Sequence, residues 1–270
     1  MKVILEIKKM MIKILIKALE LIKGQDSWES ILKISLTHMN YGNGGDFDKS
    51  GELNVLKHIK EKLDKNLSLI IFDVGGNTGN YAKALSDFFK ARAIIYSFEP
   101  SKKTYELLSE ATKNIQNIIS INIGFSDKEN NQLLYTNHDG SVCASVYKRN
   151  LERFGISFDK SEEIKLTTID NYCAKNNIDR IHFLKLDIEG HELEALKGAI
   201  QLINNRKIDF IQFEFGQCNI DSKTYFLDFY YLLKNNYHIY RILKDGLFEL
   251  KEYQEIYEIF KTTNYLAIKK

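Results

Sequence analysis

The stretch that decides the fold is Leu69-Ile70-Ile71-Phe72-Asp73-Val74-Gly75-Gly76-Asn77-Thr78-Gly79. Its first four residues are a short apolar run that predicts a buried β-strand. Gly75, Gly76 and Gly79 then let the backbone turn tightly and approach a ligand closely. The helix that follows would direct its free N–H groups at the same place. Taken alone, the turn indicates a small-molecule pocket but also fits a purely structural role.

Strands and helices alternate on the C-terminal side of this turn. Further buried strands are predicted at Ala93–Phe98, Ile118–Ile123, Ile181–Leu186 and Asp209–Phe215, with helices between them. Such alternation is typical of βαβ units, so we predict an α/β fold with a mostly parallel sheet and helices on both faces. Tyr237–Leu243 and Asn264–Ile268 predict two closing strands that can pair antiparallel.

Two regions lie outside this alternation. Extended segments at Gln132–Tyr135 and Glu163–Leu166 predict a hairpin or lid inserted near residues 130–168. The turn-rich stretch 40–46 separates an N-terminal helical extension, residues 1–49, from a main domain over residues 50–270. A chain of 270 residues is long enough for one such domain with an extension.

Composition excludes several classes of protein. The formal net charge is only +2 and the charges are interleaved, so we expect no nucleic-acid partner. Cys143, Cys173 and Cys218 are far apart and form no CxxC pair, which excludes a disulfide framework or a zinc site. Reduced thiols fit a cytoplasmic protein.

Residues 1–23 are rich in Ile, Leu and Met but carry six lysines, too many for a helix that spans a membrane. Met11, Leu15, Ala18 and Ile22, together with Ile4, give one apolar helical face. Such a helix could cover the domain, form a homodimer contact, or lie peripherally on an anionic membrane such as the inner face of the cell membrane. The sequence leaves these alternatives open.

A carboxylate follows the second predicted strand. Glu99-Pro100 lies 26 residues beyond Asp73, and an acidic residue at this position can accept hydrogen bonds from both hydroxyls of a ribose. Pro100 fixes the backbone where the chain leaves the sheet. At the third strand end, Ser126 and Asp127 stand where adenine contacts would form, although an ordinary turn explains them equally well. Glu99 and the glycine turn together indicate an adenosine-type cofactor.

The fourth strand carries an unusual set of charges. Lys185 and Asp187 lie on the same face of a strand that should be buried, which is costly unless they pair or serve a site. Glu189 and His191 follow at the strand end, where open α/β sheets bind ligands. Glu214 ends the fifth strand and would open into the same cleft. These residues predict a general base, an acceptor contact, or a Mg²⁺ site at Asp187; an internal ion pair is the alternative.

These segments together resemble the FkbM family of methyltransferases across about residues 50–216. The resemblance rests on Phe72–Gly79, Phe98-Glu99-Pro100, Asn122–Asp127, Thr168-Ile169-Asp170 and the run Lys185–Glu192. It implies a Rossmann-like class I methyltransferase with a seven-stranded sheet, and methyl transfer from S-adenosyl-L-methionine to a hydroxyl. Asp73, Gly75, Asn77 and Gly79 would hold the methionine end of the cofactor and Glu99 its ribose. The family usually has alanine or a similar small residue where this chain has Gly76.

We therefore expect an O-methyltransferase that acts on a sugar or related small molecule, in bacterial surface-glycan biosynthesis. Asp187 is the expected base or orienting group, Lys185 its electrostatic support, and Glu189, His191 and Glu214 the acceptor contacts. One alternative is an NAD- or nucleotide-sugar-binding oxidoreductase, against which Asn77 argues because a pyrophosphate loop would have glycine there. The other is a membrane-associated binding protein without catalytic activity.

Overall fold

The computed structural model describes residues 2–44, 47–152, 155 and 157–270, without the side chains of residues 2–5, 8, 47 and 48. Residues 45 and 46, the end of the expected boundary loop, therefore lie outside the described residues. The strands in this part of the chain are β1 Leu69–Val74, β2 Ala93–Phe98, β3 Ile118–Ile121, β4 Gly124–Phe125, β5 Asn130–Thr136, β6 Lys160–Thr167, β7 Ile181–Leu186, β8 Ile208–Phe215, β9 Tyr237–Leu243, β10 Gly246–Glu249 and β11 Thr263–Lys269.

The central sheet has the strand order β10-β9-β11-β8-β7-β1-β2-β3. The five strands from β8 to β3 run parallel. β11 pairs antiparallel with both β8 and β9, and β10 pairs antiparallel with β9. This arrangement confirms the predicted α/β class with a mostly parallel sheet. The described sheet has eight strands rather than seven because the short segment Gly246–Glu249 folds back on β9.

The helices are α1 Lys2–Leu19, α2 Gln25–His38, α3 Phe47–Ser50, α4 Glu52–Lys62, α5 Asn80–Phe89, α6 Lys102–Thr112, α7 Ile169–Lys175, α8 Glu192–Lys197, α9 Ile200–Asn204, α10 Cys218–Ser222 and α11 Phe226–Leu233. The segment between β7 and β8 therefore forms two short helices, α8 and α9, separated at Gly198 and Ala199, and not one continuous helix. Gly198 lies so close to the carbonyl oxygen of Ser126 that an added Cβ would be 2.0 Å from it. This contact brings the chain after β4 next to the helix pair.

Apolar side chains of the parallel strands alternate between two cores, one on each face of the sheet. Ile71, Phe183 and Phe210 pack with residues of α4 and α5 on one face. Their neighbours in sequence, such as Phe72 and Leu184, pack with residues of α7, α8 and α11 on the other. This period of two is what a strand buried on both faces requires.

A second sheet stands at the carboxyl ends of the parallel strands. It has the order β4-β6-β5, with β5 and β6 paired antiparallel over residues 130–136 and 160–167. Leu134, Ile164 and Leu166 form a small apolar cluster of their own on this hairpin. Residues 137–152, which follow β5 and which we call the inserted segment, return across the end of the main sheet, and the hairpin forms one wall of the cleft described below.

Helix α1 is the least covered element of the described chain. Met11 and Leu15, two members of its expected apolar face, are 62% and 58% exposed, while Ile22 is half-buried. The side chain of Ile4 lies outside the described residues. None of the described helices combines the length and apolarity that crossing a membrane requires. A homodimer or membrane-surface contact for this segment stays a prediction.

Candidate functional site

The glycine turn after β1 is fixed from both sides. The amide groups of Gly75 and Gly76 both donate to the carbonyl oxygen of Phe98 at the end of β2, at 3.0 and 2.9 Å. Gly75 has φ +88°, and a Cβ there would lie 1.9 Å from the carbonyl oxygen of Asp187. Only glycine fits such a backbone conformation at this close approach. The turn therefore sits wedged between the carboxyl ends of β2 and β7.

Gly76 covers a buried hydrogen bond. Ser97 on β2 donates to Oδ2 of Asp73 on β1 at 2.8 Å, and both side chains are fully buried. A Cβ on residue 76 would lie 2.2 Å from the Ser97 hydroxyl. Ser97 therefore explains why this chain has glycine where the family usually has alanine, because the serine hydroxyl occupies the space that an alanine methyl would need. Burial raises the pKa of the Asp73 carboxyl.

Asn77 joins the turn to the inserted segment. Its residue has φ +44°, which asparagine tolerates better than most side chains. The amide nitrogen Nδ2 donates to the carbonyl oxygen of Ser141 at 3.1 Å, and Oδ1 accepts from the backbone amide of Thr78. Asn77 therefore also has an internal role, holding the segment around Ser141 over the turn.

Glu99 is buried directly beneath this turn. Its two carboxylate oxygens accept from the backbone amides of Asn77 and Ser101, each at 3.0 Å. The residue is 7% exposed, and burial raises the pKa of its carboxyl to about 7. Each oxygen retains a lone pair for a further donor. Pro100 follows, and Asn122 holds the turn by donating to the carbonyl oxygens of both Glu99 and Pro100.

A pocket opens between Glu99 and the hairpin of β5 and β6. Its walls are mainly apolar and come from the chain at the ends of β1, β2, β4 and β7, from the hairpin, and from the segment between the hairpin strands. The lining residues include Val74, Phe125, Leu134, Val142, Ala144, Val146, Ile164, Leu166 and Ile188, with Gly75, Asn77, Glu99, Pro100, Asp187, Glu189 and His191 supplying polar or backbone groups. We call it the apolar pocket. Its size, depth and carboxylate suit a planar heterocycle joined to a diol.

At the end of β4, the residues that line the pocket are not the two that the sequence predicts as adenine contacts, Ser126 and Asp127. Gly124 and Phe125 form the pocket wall, whereas Ser126 is buried behind it, 2% exposed. The Ser126 hydroxyl donates to Oδ1 of Asp127 at 3.1 Å and lies 3.0 Å from Nε2 of His191. The structure thus places Ser126 in a hydrogen-bonded support of His191. An adenine contact from Ser126 or Asp127 stays a prediction.

His191 links this support to the inserted segment. Its Nδ1 lies 2.9 Å from the hydroxyl of Tyr147, so both ring nitrogens have partners. Burial lowers the pKa of His191 to about 4, which keeps the ring neutral at physiological pH. A neutral imidazole with a hydrogen bond at each nitrogen is better suited to positioning Tyr147 and Ser126 than to taking a proton from an acceptor.

Lys185 and Asp187 form the ion pair that their spacing predicts. Nζ of Lys185 lies 2.9 Å from Oδ2 of Asp187 and 4.3 Å from the centre of the Tyr81 ring. The lysine side chain is 5% exposed but that of Asp187 is 46% exposed. Burial alone would lower the pKa of Lys185, yet nearby carboxylates outweigh it and raise the pKa. Those carboxylates belong to Asp187, Asp73 and Glu52.

A second charged cluster surrounds Glu189. Arg149 from the inserted segment forms ion pairs with Glu189 and with Asp221 in α10, and the Cys218 thiol donates to Glu189 at 3.1 Å. Burial and then the charge of Asp187 raise the pKa of Glu189, while Arg149 lowers it. Arg149 therefore ties the inserted segment to the end of β7.

Glu192 and Glu214 have different surroundings although both are buried. Glu192 accepts hydrogen bonds from the backbone amides of Ile188 and Gly190, and burial raises its pKa to about 8. It shapes the loop after β7 from within. Glu214 ends β8 facing the acidic cluster, and burial followed by the charges of Asp187 and Glu189 raises its pKa well above the ordinary value.

One group of side chains within the described residues has the spacing of a metal site. Its members are Glu189, Glu214 and Cys218, whose ligand atoms lie within 4.8 Å of one another. Asp187, where the sequence suggests Mg²⁺, is not a member. Arg149 already provides a positive charge to Glu189, so the arrangement is explained without a cation.

Sequence reasoning missed three groups that the structure brings to the cleft: Arg149 and Tyr147 from the inserted segment, and Glu52 from the start of α4. Arg149 had a weak signal, since arginine is uncommon in this lysine-rich chain. Glu52 had none, because an acidic residue in the first turn of a helix is ordinary. The apolar residues of the hairpin were also outside the predicted site, although the hairpin itself was expected.

Several known proteins are similar to this chain. The family described as the methyltransferase FkbM domain matches residues 73–250. Among curated proteins, the hexuronic acid methyltransferase AglP of Haloferax volcanii is 26% identical over 161 residues. That alignment covers 58% of this chain and 61% of AglP, so the chain spans less than two thirds of this relative's length.

Similar solved structures include methyltransferase FkbM from Methylobacillus flagellatus, with a TM-score of 0.45 and 19% identity over 74% of this chain and 43% of that one. An S-adenosylmethionine-dependent methyltransferase from Aquifex aeolicus has a TM-score of 0.45 and 10% identity, covering 83% of this chain and 92% of that one. The family match includes the end of β1 with the glycine turn, Glu99 and the whole of β7 and β8, and extends over more than half of the sequence. The chain therefore belongs to the methyltransferase FkbM domain family.

Proposed function

We propose that this chain transfers a methyl group from S-adenosylmethionine to a hydroxyl group of a sugar-like acceptor. The observation that carries this proposal is the buried Glu99 beneath the glycine turn, with one free lone pair on each oxygen beside an apolar pocket. The family membership supplies the reaction class. The name of AglP, a hexuronic acid methyltransferase, supports a sugar acceptor.

The residues present fit the adenosine part of this cofactor. Ribose hydroxyls would donate to the Glu99 carboxylate, and the adenine ring would enter between Phe125 and the apolar side chains of the hairpin. The turn at Gly75 to Asn77 leaves room for the chain between ribose and sulfur, because no side chain projects from either glycine. Adding a side chain at Gly75 would block the turn against Asp187.

When bound, the cofactor supplies an electrophilic methyl group on a positively charged sulfur. The acceptor hydroxyl must lose its proton as it attacks, so the chain must hold a proton acceptor at the point of attack. Asp187 fits this role, because it lines both the apolar pocket and a neighbouring cavity on the other side of Gly75, and its side chain is partly exposed. Lys185 holds the carboxylate in place through their ion pair.

The other predicted catalytic residues take positioning roles in this proposal. Glu189 is held by Arg149 at the mouth of the cleft, where it can accept from a sugar hydroxyl. Glu214, buried beside Glu189, supports that end of the cleft from behind. His191 orients Tyr147 and the inserted segment. Alignment of the hydroxyl with the methyl group then provides most of the rate enhancement.

We further propose that residues 1–49 form an extension and residues 50–270 the methyltransferase domain, with the hairpin as its inserted lid. Bacterial surface-glycan precursors in the cytoplasm are the acceptors that we favour. Residues 1–23 could then keep the enzyme near membrane-bound precursors, since their lysines suit an anionic surface.

Isothermal titration calorimetry with S-adenosylhomocysteine and with NADH tests the reaction class. We expect micromolar binding of S-adenosylhomocysteine and no binding of NADH. Binding of NADH without S-adenosylhomocysteine would overturn the proposal in favour of an oxidoreductase. If neither S-adenosylhomocysteine nor NADH bound, a membrane-associated binding protein without catalytic activity would be the remaining alternative. If the cofactor binds, a panel of hexuronic acid glycosides with radiolabelled methyl donor then tests the acceptor class.

A further inference from the structure

A row of polar residues crosses the central sheet at one level. Ser97, Asp73, Lys185 and Gln212 are directly paired neighbours on the successive strands β2, β1, β7 and β8. All four are at most 4% exposed and lie on the face of the sheet that packs against α4 and α5. Polar side chains at such depth are costly unless they have partners or serve a ligand.

Glu52 faces this row from the start of α4. Its Oε1 accepts from Nε2 of Gln212 at 2.6 Å, and its Oε2 accepts from the hydroxyl of Ser50 at 3.0 Å. Each oxygen keeps one lone pair for another donor. Glu52 is 5% exposed and also forms part of a cavity wall.

The backbone holds Glu52 in this orientation. Gly51 has φ +91°, and a Cβ there would lie 2.0 Å from the carbonyl oxygen of Leu243 at the end of β9. Asn54, one turn into α4, donates to the carbonyl oxygen of Lys244 at 2.7 Å. The N-terminus of α4 is therefore pinned to the turn after β9, and Glu52 points to the sheet as a consequence.

The charges around Glu52 do not balance. Lys185 interacts with three carboxylates, those of Asp187, Asp73 and Glu52. If all three are ionised, this set has an excess of two negative charges. Burial raises the pKa of both Glu52 and Asp73, so their ionised forms need further positive charge. Oδ1 of Asp73 is, in addition, a fully buried oxygen with no hydrogen-bond partner among the described residues.

The cavity that Glu52 lines adjoins the apolar pocket. We call it the charged cavity; its wall also includes Thr78, Asn80, Tyr81 and Lys185. Both cavities share Gly75, Asn77, Val142 and Asp187. A ligand with its ribose on Glu99 that extends past Gly75 would place its far end in the charged cavity.

We propose that Glu52 binds the α-ammonium group at the methionyl end of the cofactor, with Lys185 and Gln212 of the polar row fixing the geometry. The inference rests on the proposed use of S-adenosylmethionine. Glu52 precedes residues 73–250, so the family match does not include it. The ammonium group would bring a positive charge next to a set in which three carboxylates surround one lysine.

The test compares two ligands that differ only at this end. S-adenosylhomocysteine carries the amino-acid group, whereas 5′-methylthioadenosine has the same adenosine and sulfur without it. For Glu52→Gln, we expect the affinity for S-adenosylhomocysteine in calorimetry to fall about 10- to 100-fold, as for loss of a charged hydrogen bond. The affinity for 5′-methylthioadenosine should stay within twofold, which also shows that the variant is folded.

Two controls identify the group that Glu52 binds. An S-adenosylhomocysteine analogue without the α-amino group should bind wild type and Glu52→Gln equally. Lys57→Ala, on the exposed side of the same helix and outside the cavity wall, should leave the affinity for both ligands unaffected.

The outcomes separate the two proposals. Equal weakening of both ligands by Glu52→Gln, or no weakening of either, would overturn the role of Glu52 alone. Failure of wild type to bind S-adenosylhomocysteine would overturn the proposed function, and the role of Glu52 with it.

Discussion

The two halves of the cleft lie at the same sheet edge but differ in what they offer a ligand. The apolar pocket is walled by Val74, Phe125 and the hairpin, with Glu99 as its buried carboxylate. The charged cavity on the opposite side of Gly75 has Lys185 among several carboxylates. Alternation along the strands explains the contrast, because residues 73 and 74 on β1 face opposite sides of the sheet. One elongated ligand can thus have an apolar end and a charged end recognised by neighbouring residues.

This contrast predicts that variants divide by which end of the ligand they affect. A residue of the apolar pocket should influence every adenosine-containing ligand. A residue of the charged cavity should influence only ligands with the amino-acid group, and Asp187, which lines both halves, should mainly affect the chemical step.

The largest effect is expected for Asp187→Ala. Removing the proposed proton acceptor should lower turnover about 100- to 10,000-fold, the usual contribution of general base catalysis. The affinity for S-adenosylhomocysteine should change little, because the ribose and adenine contacts remain. Methyl transfer to a hexuronic acid glycoside measures the first quantity, and calorimetry the second.

Asp187→Asn is the matched control for this variant, since it keeps the shape but cannot take a proton. It should be as slow as Asp187→Ala. Turnover near that of wild type in either variant would show that the base lies elsewhere, with Glu189 and Glu214 the next candidates.

A smaller effect is expected for Glu99→Ala. Loss of the two ribose hydrogen bonds should weaken S-adenosylhomocysteine and 5′-methylthioadenosine alike, by about 10- to 100-fold. This result would contrast with that for Glu52→Gln, which should weaken only the first. If Glu99→Ala lowered the affinity for only one of the two ligands, the assignment of the two ligand ends to the two halves of the cleft would be wrong.

The smallest effect is a dependence of affinity on pH. Because the pKa of Glu99 is raised to about 7, the carboxyl is largely protonated below that pH in the free protein. Ribose hydroxyls donate best to the ionised form, so binding should release a proton. The affinity for S-adenosylhomocysteine should fall as pH is lowered from 8 to 6, by at most tenfold per unit.

Glu99→Gln should flatten this dependence, because it removes the titrating group. Buffers with different ionisation enthalpies would measure the proton released on binding. An unchanged slope in Glu99→Gln would assign the titration to another buried carboxyl, of which Glu192, with a pKa of about 8, is the nearest in value.

Much of the fold could be predicted because its signals are local. The apolar runs at β1, β2, β7 and β8 predicted their strands within one or two residues, and the glycine turn and Glu99 follow from spacing along the chain. The break between α8 and α9 was missed, because it depends on the close approach of Ser126 to Gly198, 72 positions away in the sequence.

The same distinction applies to the candidate site. Lys185 and Asp187 could be paired from their spacing, since residues two apart share a face of a strand. Arg149 and Glu52 reach the cleft only through long-range packing, the first by the return of the inserted segment and the second by the contact of Gly51 with Leu243. Neither contact has a local signature.

By itself, the sequence determined the α/β class, the position of the glycine turn, and the carboxylates that end the strands, because backbone conformation and strand periodicity are local properties. The tertiary structure decided that His191 is neutral, with a hydrogen bond at each ring nitrogen. It also decided that residue 76 must be glycine beside Ser97, and that Glu52 is bonded to Gln212 of the buried polar row. Burial and charge balance depend on residues that only folding brings together, which is why the surroundings of each carboxylate could not be read from the chain alone.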